Sequence, residues 1–208
     1  GTLKKELIAC LRQGNGKRRP RSRGKDRRGQ LPDLVSIHLR PPEIEDRLIP
    51  GHWEGDLIMG AGNQSAVGTL VERTTRLVIL AKMDGTTATA ASIGFSDKLN
   101  EVPRELRLSM TYDQGKEMAH HAEITQKTGT AIYFADPHSP WQRGSNENTN
   151  GLLRQYLPKG TDLSIYSQEE LDAIADSMNT RPRKTLDWRT PLEVYADVLK
   201  KSVAGPQT

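Results

Sequence analysis

Across 208 residues the chain carries a net charge of +4, a single cysteine and 35% apolar residues before glycine is counted. These values fit one good-sized folded domain, or a domain with an arm, and exclude an internal disulfide or a cysteine-rich zinc site. No apolar run approaches the roughly 20 residues of a membrane-spanning helix, and the opening Gly1-Thr2 turns charged at once, so the chain reads as a cytoplasmic protein without a secretory signal.

The charge is unevenly spread. Residues 1–50 carry 13 Lys and Arg against 6 Asp and Glu, net +7, whereas residues 51–208 carry 17 against 20, net −3. In chain order, Leu3, Leu7, Ile8 and Leu11 form one stripe of a short amphipathic helix over 3–12. Residues 14–30 hold eight Lys or Arg, one acid and no apolar anchor, which predicts an extended basic arm. Pro32, Pro41, Pro42 and Pro50 mark an irregular tether. The expected division is therefore an N-terminal helix, arm and tether over 1–50, then a folded domain over 51–208. A basic arm commonly meets nucleic acid, although a solvated linker has the same composition.

From Gly51 the pattern changes. Residues 52–59 read as a strand; residues 66–72 and 77–83 read as two more, joined by a turn at Arg73-Thr74-Thr75-Arg76. Thr86 is placed to cap a helix running to about Leu99. A strand over 106–112 ends at Asp113-Gln114-Gly115. A helix over about 116–127 closes at Gly129, and 130–135 is a buried strand. A Pro-rich loop leads to a helix from about Ser145 to Leu157, stopped by Pro158. Ser167 with Glu170 and Thr190-Pro191-Leu192-Glu193 are capping boxes for two further helices. Early hairpin strands followed by strand–helix alternation predict an α/β fold with a mixed sheet flanked by helices. A ribonuclease H-like sheet satisfies that pattern, as do other three-layer folds.

Three acids draw notice. Asp56 sits inside an apolar strand, where an ionised carboxylate is costly without a cation or donors; alone it also reads as a strand-end acid accepting backbone hydrogen bonds. Asp113 before Gly115 is ordinary turn chemistry. Glu147 in a helix's first turn favours the helix dipole. As a set they gain meaning. Carboxylates are hard ligands suited to magnesium, and two ions about 4 Å apart activate one oxygen and stabilise the leaving one in phosphoryl transfer.

The residues around the acids narrow the reading. Gly51-His52-Trp53-Glu54-Gly55-Asp56-Leu57-Ile58 carries the first and Thr111-Tyr112-Asp113-Gln114-Gly115 the second. The run from Asp136 through Ser139-Pro140-Trp141-Gln142-Arg143-Gly144-Ser145-Asn146-Glu147 to Gly151 carries the third, with thirty-three residues between Asp113 and Glu147. This series resembles the DDE transposases of the insertion sequence 30 family. More distantly it is similar to retroviral integrases, which share the Ser-Pro-x-x-x-Gly-x-x-Glu run. Leu70-Val71-Glu72-Arg73 and the stretch from Asn179 to Leu186 belong to the same resemblance. It implies a ribonuclease H-like core in which Asp56, Asp113 and Glu147 are catalytic and bind Mg²⁺, with Mn²⁺ as substitute and two ions in all. It implies strand cleavage at the ends of a mobile element and strand transfer of the 3′-hydroxyls, by a homo-oligomer assembled on DNA. Members of the family carry helix-turn-helix modules ahead of this region; none is visible here, so the chain reads as a fragment.

Around the acids, Arg154 lies two turns after Glu147 and is expected to meet a phosphate, as is the basic residue integrases place there. Arg143, Asn146 and Asn148 flank Glu147, where they would touch DNA or cap the helix. Lys116, Lys159, Arg181, Arg183 and Lys184 would extend a basic track. Trp141 reads as a core residue or a platform for an unpaired base. Close approach of another backbone would explain Gly151 inside a helix, and Glu54 is a reserve acid on the same strand face as Asp56. Two other readings share these features: a ribonuclease H-type nuclease that only hydrolyses, and a non-catalytic DNA-binding or assembly module derived from a transposase.

Overall fold

Alternation along strand β1 (His52–Met59) sets the architecture. Trp53, Leu57 and Met59 point into one apolar cluster, whereas Ile58 joins a second cluster across the sheet. Buried on both faces, β1 must lie at the centre. In the computed structural model, which describes Leu31 and residues 33–204, it does so. One sheet has the order β3-β2-β1-β4-β5, with β2 at Ala66–Glu72, β3 at Val78–Lys82, β4 at Ser109–Tyr112 and β5 at Ala131–Phe134. β1–β2 and β2–β3 pair antiparallel; β1–β4 and β4–β5 pair parallel. The expected mixed sheet is present.

Helix α1 (Ala88–Asn100) and α2 (His121–Thr128) cover one face, where Phe95, Leu99 and Ile124 meet Trp53, Leu70, Met110 and Phe134. Helix α3 (Gly144–Leu153) and α4 (Gln168–Asn179) cover the other, where Leu153, Leu171 and Met178 meet Ile58, Val67, Val71 and Leu80. Helix α5 (Pro191–Ala204) adds Tyr195 to the first cluster. Trp53 is fully buried, and its indole N–H donates to Leu106 O at 2.8 Å, so its polar handle is satisfied. No helix among the described residues is long and apolar enough to cross a membrane.

Several element ends differ from expectation. Thr87, not Thr86, caps α1 by accepting the Ala90 N–H. The helix expected over 116–127 splits into a 3-10 turn at Lys116–Met118 and then α2, which ends at left-handed Gly129. The helix expected to reach Leu157 stops at Leu153. Both capping boxes form.

The N-terminal helix and basic arm expected over 3–30 lie outside the described residues. The tether is irregular, yet it is docked. Val35 O accepts the Phe134 N–H at 2.8 Å, and Ile37, Arg40 and Ile44 are buried. Arg40 donates to Thr111 Oγ1 at 3.0 Å and pairs with Glu45; Arg73 pairs with Glu54 at 3.2 Å. A chain of charges, buried except at the exposed Glu45, thus ties residues 35–47 to β1 and β4.

Candidate active site

Gly55 governs how closely β4 approaches the first acid. A Cβ there would stand 2.8 Å from Tyr112 Cδ2 and 2.9 Å from Met110 Sδ. Without one, both β4 side chains pack directly on the β1 backbone, and β4 delivers Asp113 beside Asp56. Asp113 follows the last β4 residue and accepts the Gly115 N–H at 3.1 Å, which fixes the turn. On the opposite face of β1, Asp56 points toward α3. Its Oδ1 accepts the Leu57 N–H at 2.9 Å and its Oδ2 accepts the Asn150 amide at 3.1 Å.

Arg143 bridges the two acids. Its Nη1 lies 3.5 Å from Asp56 Oδ2 and its Nη2 lies 3.4 Å from Asp113 Oδ2, while Nη1 also donates to Gly55 O at 3.1 Å. Burial pushes the Asp56 carboxyl above the ordinary aspartate value, and repulsion from Asp113 adds to it; Arg143 and the Leu57 N–H pull the other way. Glu147, in the first turn of α3, is exposed, and its side chain forms no hydrogen bond or ion pair with a described residue. It lines an open pocket of about 150 Å³ together with Asp113, Asp136, His138 and Arg143. Asp56 and Asp113 therefore meet through one guanidinium, and Glu147 faces Asp113 across that pocket. Among the described residues no three His, Cys, Asp or Glu gather closely enough to enclose an ion.

Helix α3 is held to β1 by a pin. Asn146 is fully buried; its amide donates to Glu54 O at 3.0 Å and accepts from Thr69 Oγ1 at 3.0 Å, and its own N–H donates to Glu54 Oε2 at 2.9 Å. The expectation that Asn146 touches DNA is thereby corrected: every polar atom of its side chain is spent inside. Glu54, the reserve acid, serves the same pin and pairs with Arg73 rather than facing the pocket. His52 is buried against Ser109 at 2.7 Å. Burial, with Arg73 and Arg40 nearby, lowers its pKa to about 4, so it is a neutral structural group.

The other expected DNA contacts fall into two groups. Asn148, Lys116, Lys159 and Lys184 are exposed. The arginines are partly engaged. Arg154 donates to Met59 O at 3.1 Å and Leu157 O at 3.3 Å, Arg181 stacks over the Tyr156 ring at 5.6 Å, and Arg183 donates to Met178 O at 3.1 Å. Trp141 is 72% exposed, which removes the core reading. Gly151 has no described atom within 4 Å of where a Cβ would sit, so close backbone packing does not explain it.

Two neighbours of the acids escaped the sequence reading. Asn150 orients Asp56; its place one turn after Glu147 was the available signal. Glu117 folds over Gly115, and its carboxyl is raised by burial and then by Asp113 and Asp56, so it faces the same charge cluster.

The integrase core domain family matches residues 48–140. The transposase for insertion sequence element IS1086 of Cupriavidus metallidurans is 69% identical over 199 residues, 96% of this chain and 59% of that protein. Transposase InsI for insertion sequence element IS30A of Escherichia coli is 50% identical over 158 residues, 76% of this chain and 41% of that protein. The chain is an integrase catalytic core of the insertion sequence 30 transposase family. This transposase core thus spans about 59% and 41% of the length of those two relatives. Its fold matches a chain in the simian T-cell lymphotropic virus intasome bound to PP2A regulatory subunit B56 gamma, with a TM-score of 0.57 at 17% identity over 80% of this chain and 60% of that one. The sheet is therefore ribonuclease H-like.

Proposed function

We propose that this core cuts DNA at the ends of a mobile element and joins the resulting 3′-hydroxyls to target DNA, with Asp56, Asp113 and Glu147 as the catalytic acids. The observation that carries the reading is that Asp56 on β1 and Asp113 just after β4 already share one cation, the Arg143 guanidinium, while Glu147 lines a pocket with Asp113 and that arginine. Burial, and then Asp113, raises the Asp56 carboxyl, so positive charge beside it favours its ionised form. The donors are carboxylate oxygens, which suit Mg²⁺ or Mn²⁺. Asp56, Asp113 and Glu147 would hold two such ions. When bound, they supply Lewis acidity to the attacking and leaving oxygens of an in-line displacement.

The chain's own residues supply the rest. Asn150 and the Leu57 N–H fix the Asp56 carboxylate. Gly115 fixes Asp113. The Asn146–Glu54 pin sets the height of α3 and hence of Glu147. Exposed Lys116 and Asn148 would meet DNA, and self-association on DNA completes the proposal.

The test is an oligonucleotide assay with Mg²⁺ or Mn²⁺ and a substrate bearing a free 3′-hydroxyl. Joined product that depends on metal and vanishes in Asp113→Asn and Glu147→Gln is expected. Nicking without joining would return the hydrolytic nuclease, and loss of neither activity in the variants would remove the three acids from the reaction.

A further inference from the structure

A second pocket opens beside the first. It measures about 340 Å³ and is lined by Arg47, Arg76 and Arg183 with Ser145, Asn148 and Thr185. The arginines come from three distant segments: the docked tether, the β2–β3 turn and the loop after α4. No carboxylate among the described residues forms an ion pair with any of them. By contrast, the neighbouring Arg40 and Arg73 both pair with acids.

The pocket thus gathers three arginines with no ion-paired acid among the described residues. Burial, then Arg47, works against the charge of Arg76, with Glu54 and Glu72 offsetting part of it without pairing; burial, then Arg181, works against that of Arg183. Arg183 Nε is buried with no hydrogen-bond partner. Arg47 and Arg76 stand at left-handed backbone positions, φ 55° and 63°, which are uncommon for arginine. Gathering like charges in this way costs free energy that an anion would offset. Polar ends are at hand: Arg76 already donates to the Ser145 hydroxyl, and the Asn148 and Thr185 side chains are exposed.

The position identifies the anion. Ser145 and Asn148 line this pocket from the first turns of α3, while Arg143 and Glu147 line the acid pocket from the same turns. The two pockets flank one helix, whose diameter is about 10 Å. A DNA strand carries one phosphate per about 3.4 Å of axis, so this distance covers about three nucleotides. We propose that Arg47, Arg76 and Arg183 grip a backbone phosphodiester of the strand whose reacting phosphate lies at the acids, about three nucleotides away. The proposal rests on the DNA-processing reading above.

The test is oligonucleotide binding by the whole chain, read by fluorescence anisotropy across a salt series. The variants are Arg47→Ala, Arg183→Ala and Arg47→Lys, each checked by thermal melting. Arg47 forms no hydrogen bond through its side chain to a described residue, so its loss tests charge without unfolding. Each alanine variant should lower the log–log salt slope, for every sequence alike, and loss of the whole grip should lower it by about 0.7–0.9, the share of one phosphate. Between 50 and 200 mM salt, a drop of 0.9 makes the loss of affinity about 3.5-fold smaller than in the wild type. Arg47→Lys should restore most of the slope. Unchanged slopes in both alanine variants, or no oligonucleotide binding by the wild-type chain, would overturn the proposal. So would inorganic phosphate bound at these arginines and not displaced by oligonucleotide. Failure of the DNA-processing reading shows elsewhere, as metal-dependent cutting that Asp113→Asn leaves intact.

Discussion

Replacing Asn146 with alanine separates two roles that sequence alone leaves entangled. The variant loses the amide donation to Glu54 O and the acceptor for Thr69 Oγ1, both inside the protein. Thr69 keeps a fallback, because its hydroxyl lies 3.2 Å from Asp56 O. Two net hydrogen bonds at about 0.5–1.5 kcal/mol each give a cost of about 1–3 kcal/mol. For a domain of this size, 1 kcal/mol moves Tm by about 2–4 °C, so a 2 kcal/mol loss is about 4–8 °C. Urea or thermal unfolding of the metal-free chain reads it. DNA affinity and its salt slope, measured on the folded variant, should hardly move, whereas strand cutting should fall because α3 and Glu147 lose their anchor. A variant as stable as the wild type but with a smaller salt slope would show that Asn146 touches DNA and that the pin is wrong.

Gly55→Ala should cost about 1–3 kcal/mol, because the added methyl meets Tyr112 and Met110 below 3.0 Å and must push β4 from β1; a melting curve that superimposes on the wild type would refute the packing argument. Gly151→Ala should stabilise the chain by up to about 1 kcal/mol, since the site is open and helical, and a lowered Tm would reveal a hidden clash. Arg143→Gln strips the shared cation from Asp56 and Asp113, so the metal-free chain should melt lower and gain more Tm than the wild type on adding Mn²⁺; equal gains would mean that the guanidinium does not stand in for metal. Asp56 has a raised folded pKa, so its contribution to stability is full below the unfolded value of about 3.9 and is lost as pH rises through the folded one. Asp56→Asn should therefore outlast the wild type at neutral pH without metal, by a margin that shrinks toward pH 3; a margin that grows on acidification contradicts the burial argument.

How much was legible depended on the range of the interaction. β1 was readable to the residue because Trp53, Leu57, Ile58 and Met59 lie in one short run bounded by Gly51 and Gly60. Capping boxes at Ser167 and Thr190 were readable because they are local chemistry. The early end of α3 was not: Arg154 turns its guanidinium to Met59 O, a partner 95 residues away. The acids were legible as a set through their motifs, while their linkage through Arg143 was not, since Arg143 looked equally like a DNA contact. Asn146 shows the same limit. An asparagine beside a candidate glutamate has the same letters whether it faces solvent or is buried under Thr69. The tether was read as irregular, which holds, but its prolines conceal the buried Arg40, whose reward is a hydroxyl on β4.

The measurement closest to the centre of the account is calorimetric titration of Mn²⁺ into the wild-type chain and into Asp56→Asn, Asp113→Asn and Glu147→Gln. Asp56 and Asp113 already share a cation, but Glu147 joins them only across a pocket. If the three acids form one site, each substitution should weaken or abolish metal binding, Glu147→Gln included. Binding that is lost in both aspartate variants and unchanged in Glu147→Gln would contradict the account, leaving a two-acid site and a glutamate with some other task.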